Sequence, residues 1–157
     1  MMELLTYEAP VDEHDTLAAD DVYVLPTSFA QERFWFVDQL ESGSPFYNIA
    51  GAFQVEGKLN FPTLSYAING VVARHEVLRT IFPNVDGKPM QAVLTDTPPL
   101  QIPLIDLELV QGQEELALEL AREESRIPFD LTVWPLLRVS VIRLSGENHI
   151  LVINVHH

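Results

Sequence analysis

The most regular pattern in the chain runs from Asn60 to Arg74. Leu64, Ala67, Ile68, Val71 and Val72 recur at i, i+3, i+4, i+7 and i+8, the period of a helix with one buried stripe. Asn60 stands where a side-chain cap belongs. A second helix is predicted to begin after Ser28, which has capping-box spacing with Gln31. Phe29, Phe36, Val37 and Leu40 share one face of it, and Gly43, Ser44 and Pro45 end it. Residues 113–126 predict a third helix, with Leu116, Leu120 and Ala121 inward. Between the helices the period changes to two. Residues 22–25 form a short strand stopped by Pro26. Residues 47–55 alternate through Tyr47, Ile49, Phe53 and Val55. Further strands are predicted over 77–82, 90–94, 101–107 and 136–144. Asn84, Asp86, Gly87 and Pro89 suit a reversal, and so does Ser145-Gly146-Glu147-Asn148. Residues 150–155 are apolar except for Asn154, the signature of a strand covered on both faces. Helices interleaved with hairpins imply an α/β (α+β) fold, a two-layer sandwich in which a mixed sheet packs against helices. Residues 1–21 show no period and are acidic, so they read as a flexible leader or linker, with order beginning at Val22.

Composition narrows the function. The chain has 157 residues, enough for one core, and a formal charge of −14, which repels phosphate backbones and argues against nucleic-acid binding. No apolar run reaches the roughly 20 residues of a membrane span, and residues 1–7 lack the basic start of a secretory signal. Without cysteine there is neither a disulfide framework nor a thiolate nucleophile, and a reducing cytoplasm is the expected location. The acidic groups over residues 8–21 and 114–124 read as solvated surface. Gly51 to Gly57-Lys58 is one residue too long for a phosphate loop, and Leu59 stands where that loop needs a hydroxyl. There is no Gly-x-Ser-x-Gly elbow and no zinc-type spacing. His14, His75 and His149 are scattered and read as surface or packing residues.

Two segments carry candidate chemistry. His156 and His157 follow the apolar strand directly; on a strand their rings take opposite faces, so they cannot share one metal. One ring is expected in the core and the other at a cleft, where a titratable group at a strand end can act. Arg74-His75-Glu76-Val77-Leu78-Arg79-Thr80 lies at the exit of the best helix; taken alone, it reads as a charged helix end.

Together the segments resemble nonribosomal peptide synthetase condensation domains. Ser28-Phe29-Ala30-Gln31-Glu32-Arg33-Phe34-Trp35 resembles the family's first signature, and Arg74-His75-Glu76-Val77-Leu78-Arg79-Thr80-Ile81-Phe82 its second. Pro128-Phe129-Asp130-Leu131 and Pro135-Leu136-Leu137-Arg138 are similar to a stretch before the third, and Asn154-Val155-His156-His157 to the opening of the third, His-His-x-x-x-Asp-Gly. Heterocyclisation domains carry Asp at the His pair, epimerisation domains have a different first signature, and free-standing acyltransferases of this fold lack the Arg-His-Glu stretch.

The resemblance implies a chloramphenicol acetyltransferase-like fold with two lobes and the active site between them, the present chain being most of the first lobe. It implies amide formation between acyl groups held on phosphopantetheine arms of carrier proteins, with no cofactor of the domain's own. Thioester aminolysis is downhill, so positioning and proton handling are the protein's task. His157 matches the catalytic His, which receives the amine proton or else orients the amine and steadies the tetrahedral intermediate. His156 is its buried structural partner. Arg79, with Arg74 as second choice, matches the arginine that pairs with the motif's Asp. That Asp and the second lobe lie beyond the sequence, so the chain is expected to be inactive alone, with an unpaired buried arginine costing several kcal/mol. The implied partners are carrier proteins and other synthetase domains, with no nucleic acid and no membrane. Two other readings compete: a module that docks a carrier protein or another part of a synthetase, and a non-functional remnant.

Overall fold

The computed structural model describes residues 22–41 and 43–157; the expected leader over 1–21 lies outside them. The described chain opens with strand β1 (Val22–Pro26), helix α1 (Phe29–Leu40) and strand β2 (Asn48–Glu56). Helix α2 (Phe61–Arg74), a short 3-10 helix (Glu76–Arg79) and strands β3 (Thr80–Ile81), β4 (Asn84–Val85), β5 (Lys88–Leu94) and β6 (Leu104–Asp106) follow. Helix α3 (Gln113–Arg126) precedes the long hairpin of β7 (Leu137–Ser145) and β8 (Asn148–His156).

Local chemistry sets several of these boundaries. The Ser28 hydroxyl accepts from the Gln31 amide while the Gln31 side chain accepts from the Ser28 amide, which starts α1. Asn60 caps α2 through the Thr63 amide. At the β4–β5 turn, Asp86 and Gly87 both take positive φ, 52° and 82°, the handedness that suits a two-residue hairpin loop.

Two sheets result. The smaller is antiparallel, ordered β1-β5-β3 with β4 also on β5. The larger is mixed, ordered β2-β8-β7-β6, and only β6 runs parallel to its neighbour. Alternation in β7 and β8 divides the larger sheet into two apolar faces. Val139, Val141, Leu151 and Ile153 meet Leu64, Ile68 and Val72 of α2. Ile142, Ile150 and Val152 meet Leu116, Ala117 and Leu120 of α3. Helices thus cover both faces of the central hairpin, as the near-continuous apolar run in β8 requires. A third cluster lies against the smaller sheet around Ile81, Ala92 and Leu94. Trp134 belongs to both the first and third clusters, and its indole N–H donates to the Leu78 carbonyl at 3.1 Å.

Three expectations need correction. Residues 77–82 are not one strand. The Leu78 amide bonds back to the His75 carbonyl and the Thr80 hydroxyl to the Glu76 carbonyl, which winds the segment into the 3-10 turn and leaves two residues of strand. The strand expected over 101–107 is confined to Leu104–Asp106. In α1 the apolar stripe faces outward: Phe29 is 93% exposed, Phe36 and Leu40 are also exposed, and Trp35 is buried. The inward stripe is Gln31, Phe34, Trp35 and Asp38, at i, i+3, i+4 and i+7. Its two polar members have partners: Gln31 donates to Gln91 on β5, and Asp38 lies near His156.

Ile142 is 1% exposed at the α3 face. Ile142→Ala is expected to lower unfolding free energy by about 2–5 kcal/mol. Phe36→Ala, on the exposed face of α1, should stay within about 0.5 kcal/mol. Urea denaturation of the two variants checks the pair.

Candidate functional site

β8 is the central strand that delivers the histidine pair. It lies between β2 and β7, with Asn48 opposite His156 and Leu137 opposite Val155. The His156 amide donates to the Leu136 carbonyl at 3.1 Å, and the His157 amide to the Tyr47 carbonyl at 3.0 Å, so the backbone is held from both sides. Beyond that point the rings diverge. His157 is exposed and rests on Phe34, ring centres 4.6 Å apart and planes at 42°. His156 is half-buried between Tyr47 and Phe129, with both ring centres 6.3 Å away and the planes steeply inclined at 63° and 82°. His156, expected to be buried, is only half-buried, and both rings border the same cleft.

That cleft holds about 480 Å³. Its other walls come from Gln31 and Phe34 of α1, Glu76 and Leu78 of the 3-10 turn, and Gln91 of β5. The structure therefore joins the His pair to parts of the first two signature segments. A hollow of about 640 Å³ beside Gln113, Glu115 and Arg122 is larger, but it carries only solvated helix side chains and no imidazole.

Burial holds the His156 imidazole below its ordinary range, against the pull of the Asp38 carboxylate. Burial also raises Asp38, against the attraction of His156, and Asp130 adds to the rise. For each group the loss of water outweighs the attraction between them. At neutral pH His156 is accordingly a neutral packing ring.

The two arginines lie apart from the cleft. Arg79 is not left unpaired: its guanidinium donates to the Leu94 carbonyl and, at 3.4 Å, to that of Thr95, with only its Nε enclosed and unbonded. The several-kcal/mol penalty expected for it does not apply in that form, because β5 ends where those carbonyls need donors. Arg74 is exposed on the last turn of α2, at the negative end of the helix dipole. His149 is a buried packing residue and His75 an exposed helix cap.

One supporting constellation was missed in the sequence. The carbonyls at the end of α3 are bound by side chains from three strands. Asn154 of β8, 0% exposed, donates to the Glu124 carbonyl at 2.9 Å. Asn48 of β2 donates to Ser125 and Ile127 at 2.9 and 2.8 Å. Arg138 of β7 donates to Ile127 at 2.6 Å, pairs with the Glu124 carboxylate and lies 3.8 Å above the Phe129 ring. The lone Asn in an apolar strand was the available signal. Among the described residues no acidic, His or Cys cluster is arranged to hold a metal, and no helix is long and apolar enough to cross a membrane.

Comparison with known proteins shows the family and the fold. A family model described as Condensation domain matches residues 21–157. Tyrocidine synthase 3 of Brevibacillus parabrevis is 38% identical over 141 residues, covering 90% of this chain and 2% of that protein. Phosphinothricin tripeptide synthetase PhsC of Streptomyces viridochromogenes is 37% identical over 139 residues, 88% of this chain and 13% of that one. Among solved structures, the starter condensation domain of rhizomide synthetase RzmA superposes with a TM-score of 0.79 at 26% identity, covering 86% of this chain and 32% of that chain. The first condensation domain of the CDA synthetase gives 0.79 at 23% identity, which speaks to the fold alone. The chain thus spans a small part of these curated synthetases and about a third of the solved domains.

The lowered His156 value fixes the sign of a pH effect. Between the ordinary histidine value of about 6.5 and the lower folded value, the unfolded chain binds more protons than the folded one. The contribution is therefore present above pH 6.5 and is lost as pH falls toward the folded value. His156→Gln should flatten the stability profile between about pH 7.5 and the folded value, as read by urea titrations at stepped pH. Asp38 has the opposite sign in the carboxylate range, and because His156 lowers it, the substitution should raise Asp38 further.

Proposed function

This chain belongs to the condensation domain family, and on that premise we propose that it supplies one wall of a site where an amide bond joins two carrier-bound acyl groups. The acceptor amine attacks the donor thioester carbonyl; the C–N bond forms, the C–S bond breaks, and the donor's thiol leaves. Donor and acceptor arrive on phosphopantetheine arms of carrier proteins, and a second lobe and neighbouring synthetase domains complete the setting. The cysteine-free sequence suits a cytoplasmic location.

The observation that carries this reading is the exposed His157 imidazole on a cleft that Glu76 and Leu78 of the 3-10 turn also line. Among the described residues nothing hydrogen-bonds either ring nitrogen of His157 in competition with an incoming amine. His157 accepts the amine proton as the tetrahedral intermediate forms. His156 takes no proton; packed among Tyr47, Phe129 and the strand ends, it holds the chain that presents His157. Arg79, fixed on the end of β5, braces the loop that follows His157 when the motif's Asp is present. Aligning amine and thioester supplies the larger part of the rate, since the chemistry is favourable once they meet.

The test is an amide-forming assay with loaded donor and acceptor carriers. It is run on this chain alone and on the chain extended by the second lobe of a condensation domain. The chain alone should give no product. The extended protein should form amide, and His157→Ala should lower its rate by about 10²–10⁴-fold. Unchanged turnover in His157→Ala would exclude the assignment.

A further inference from the structure

Among the described residues no group hydrogen-bonds the His157 ring. Catalytic imidazoles are commonly aimed by an acceptor on the second ring nitrogen, yet among the described residues neither nitrogen of His157 is bonded. Its backbone is pinned to Tyr47 by the amide hydrogen bond at 3.0 Å, but the side-chain torsions are left free by that bond. What the ring touches is Phe34, at 4.6 Å and 42°. Phe34 is itself packed: its ring centre lies 4.9 Å from that of Tyr47 with the planes at 77°, and the Phe46 ring lies 5.2 Å from Tyr47 at 86°. Phe34 sits on the inward stripe of α1 beside buried Trp35, so its backbone is held by the capped helix. Tyr47 therefore serves twice, through its carbonyl on the His157 amide and through its ring on Phe34.

We propose that Phe34 is a positioning residue, an aromatic stop against which the His157 imidazole is held at the cleft. The inference rests on the reading of His157 as the proton-handling group and adds a residue to it. Aromatic contacts at this separation add to area burial, which favours one rotamer over its alternatives. An aliphatic side chain fills similar volume without a ring face, and a tyrosine restores the face. The chemistry needs this because a displacement of about 1 Å in a catalytic group costs on the order of 10²-fold in rate.

Two measurements decide it. In NMR spectra of this chain, the His157 ring protons should carry a ring-current shift that disappears in Phe34→Leu and returns in Phe34→Tyr, while amide resonances of α2 and α3 stay in place. In the extended protein, Phe34→Leu should reduce kcat by on the order of 10²-fold with KM for both carriers unchanged, and Phe34→Tyr should recover it. Retention of the shift or of kcat in Phe34→Leu overturns the proposal. So does a loss that spreads across the α2 and α3 amides, which would mark a general folding defect. If the shift behaves as expected but His157→Ala condenses normally, the stacking stands and the catalytic reading of His157 falls.

Discussion

The end of α3 is where this structure is held together. A helix leaves its last carbonyls without intrahelical donors, and burying them unbonded is costly. Here Asn48, Arg138 and Asn154 reach those carbonyls from β2, β7 and β8. These strands are adjacent, so one helix terminus fixes their relative heights. A slip of one residue in β8 would turn Asn154 away from α3 and put an apolar side chain against the carbonyls. The same slip would exchange the two histidines. The register that satisfies the helix is therefore the register that sends His157 to the cleft. Phe129 extends the linkage, lying under the Arg138 guanidinium and edge-on to His156.

Trp134 does the corresponding work on the far wall. It packs in the cores of both sheets, and its N–H holds the Leu78 carbonyl in the 3-10 turn. The turn and β8 are thus tied through one core, since Leu78 and Val155 pack against the same cluster. Gln31 ties α1 to this arrangement, since its amide is shared between its own helix cap and Gln91 of β5.

How much of this could be read in the sequence depended on range. Local chemistry was legible: the Ser28–Gln31 box, the Asn60 cap, the Asp86-Gly87 reversal and α3 all lie where short-range pattern put them. The doubly covered β8 was legible from its unbroken apolar run, and with it the placement of the His pair at a strand end. Long-range partners were not. The inward stripe of α1 contains Gln31 and Asp38, and period analysis ranks such a stripe below Phe29, Phe36 and Leu40. Nothing local says that Gln91 and His156 wait to meet them. Val77 and Leu78 have strand-like composition, and only the back-bonding to His75 and Glu76 curls them. Phe34 was legible as part of a motif, but its contact with His157 joins opposite ends of the described chain.

The engagement of Arg79 with the end of β5 changes what any acidic side chain meeting it would experience. The guanidinium has already given up water for the carbonyls of Leu94 and Thr95. A carboxylate approaching it would meet a cation anchored by one nitrogen: Nη1 is taken by the two carbonyls, while Nη2 and Nε carry no hydrogen bond among the described residues. A second acceptor can therefore be added at that spot without displacing either carbonyl. An arginine anchored through one nitrogen keeps the strand end in order and still has donors to offer.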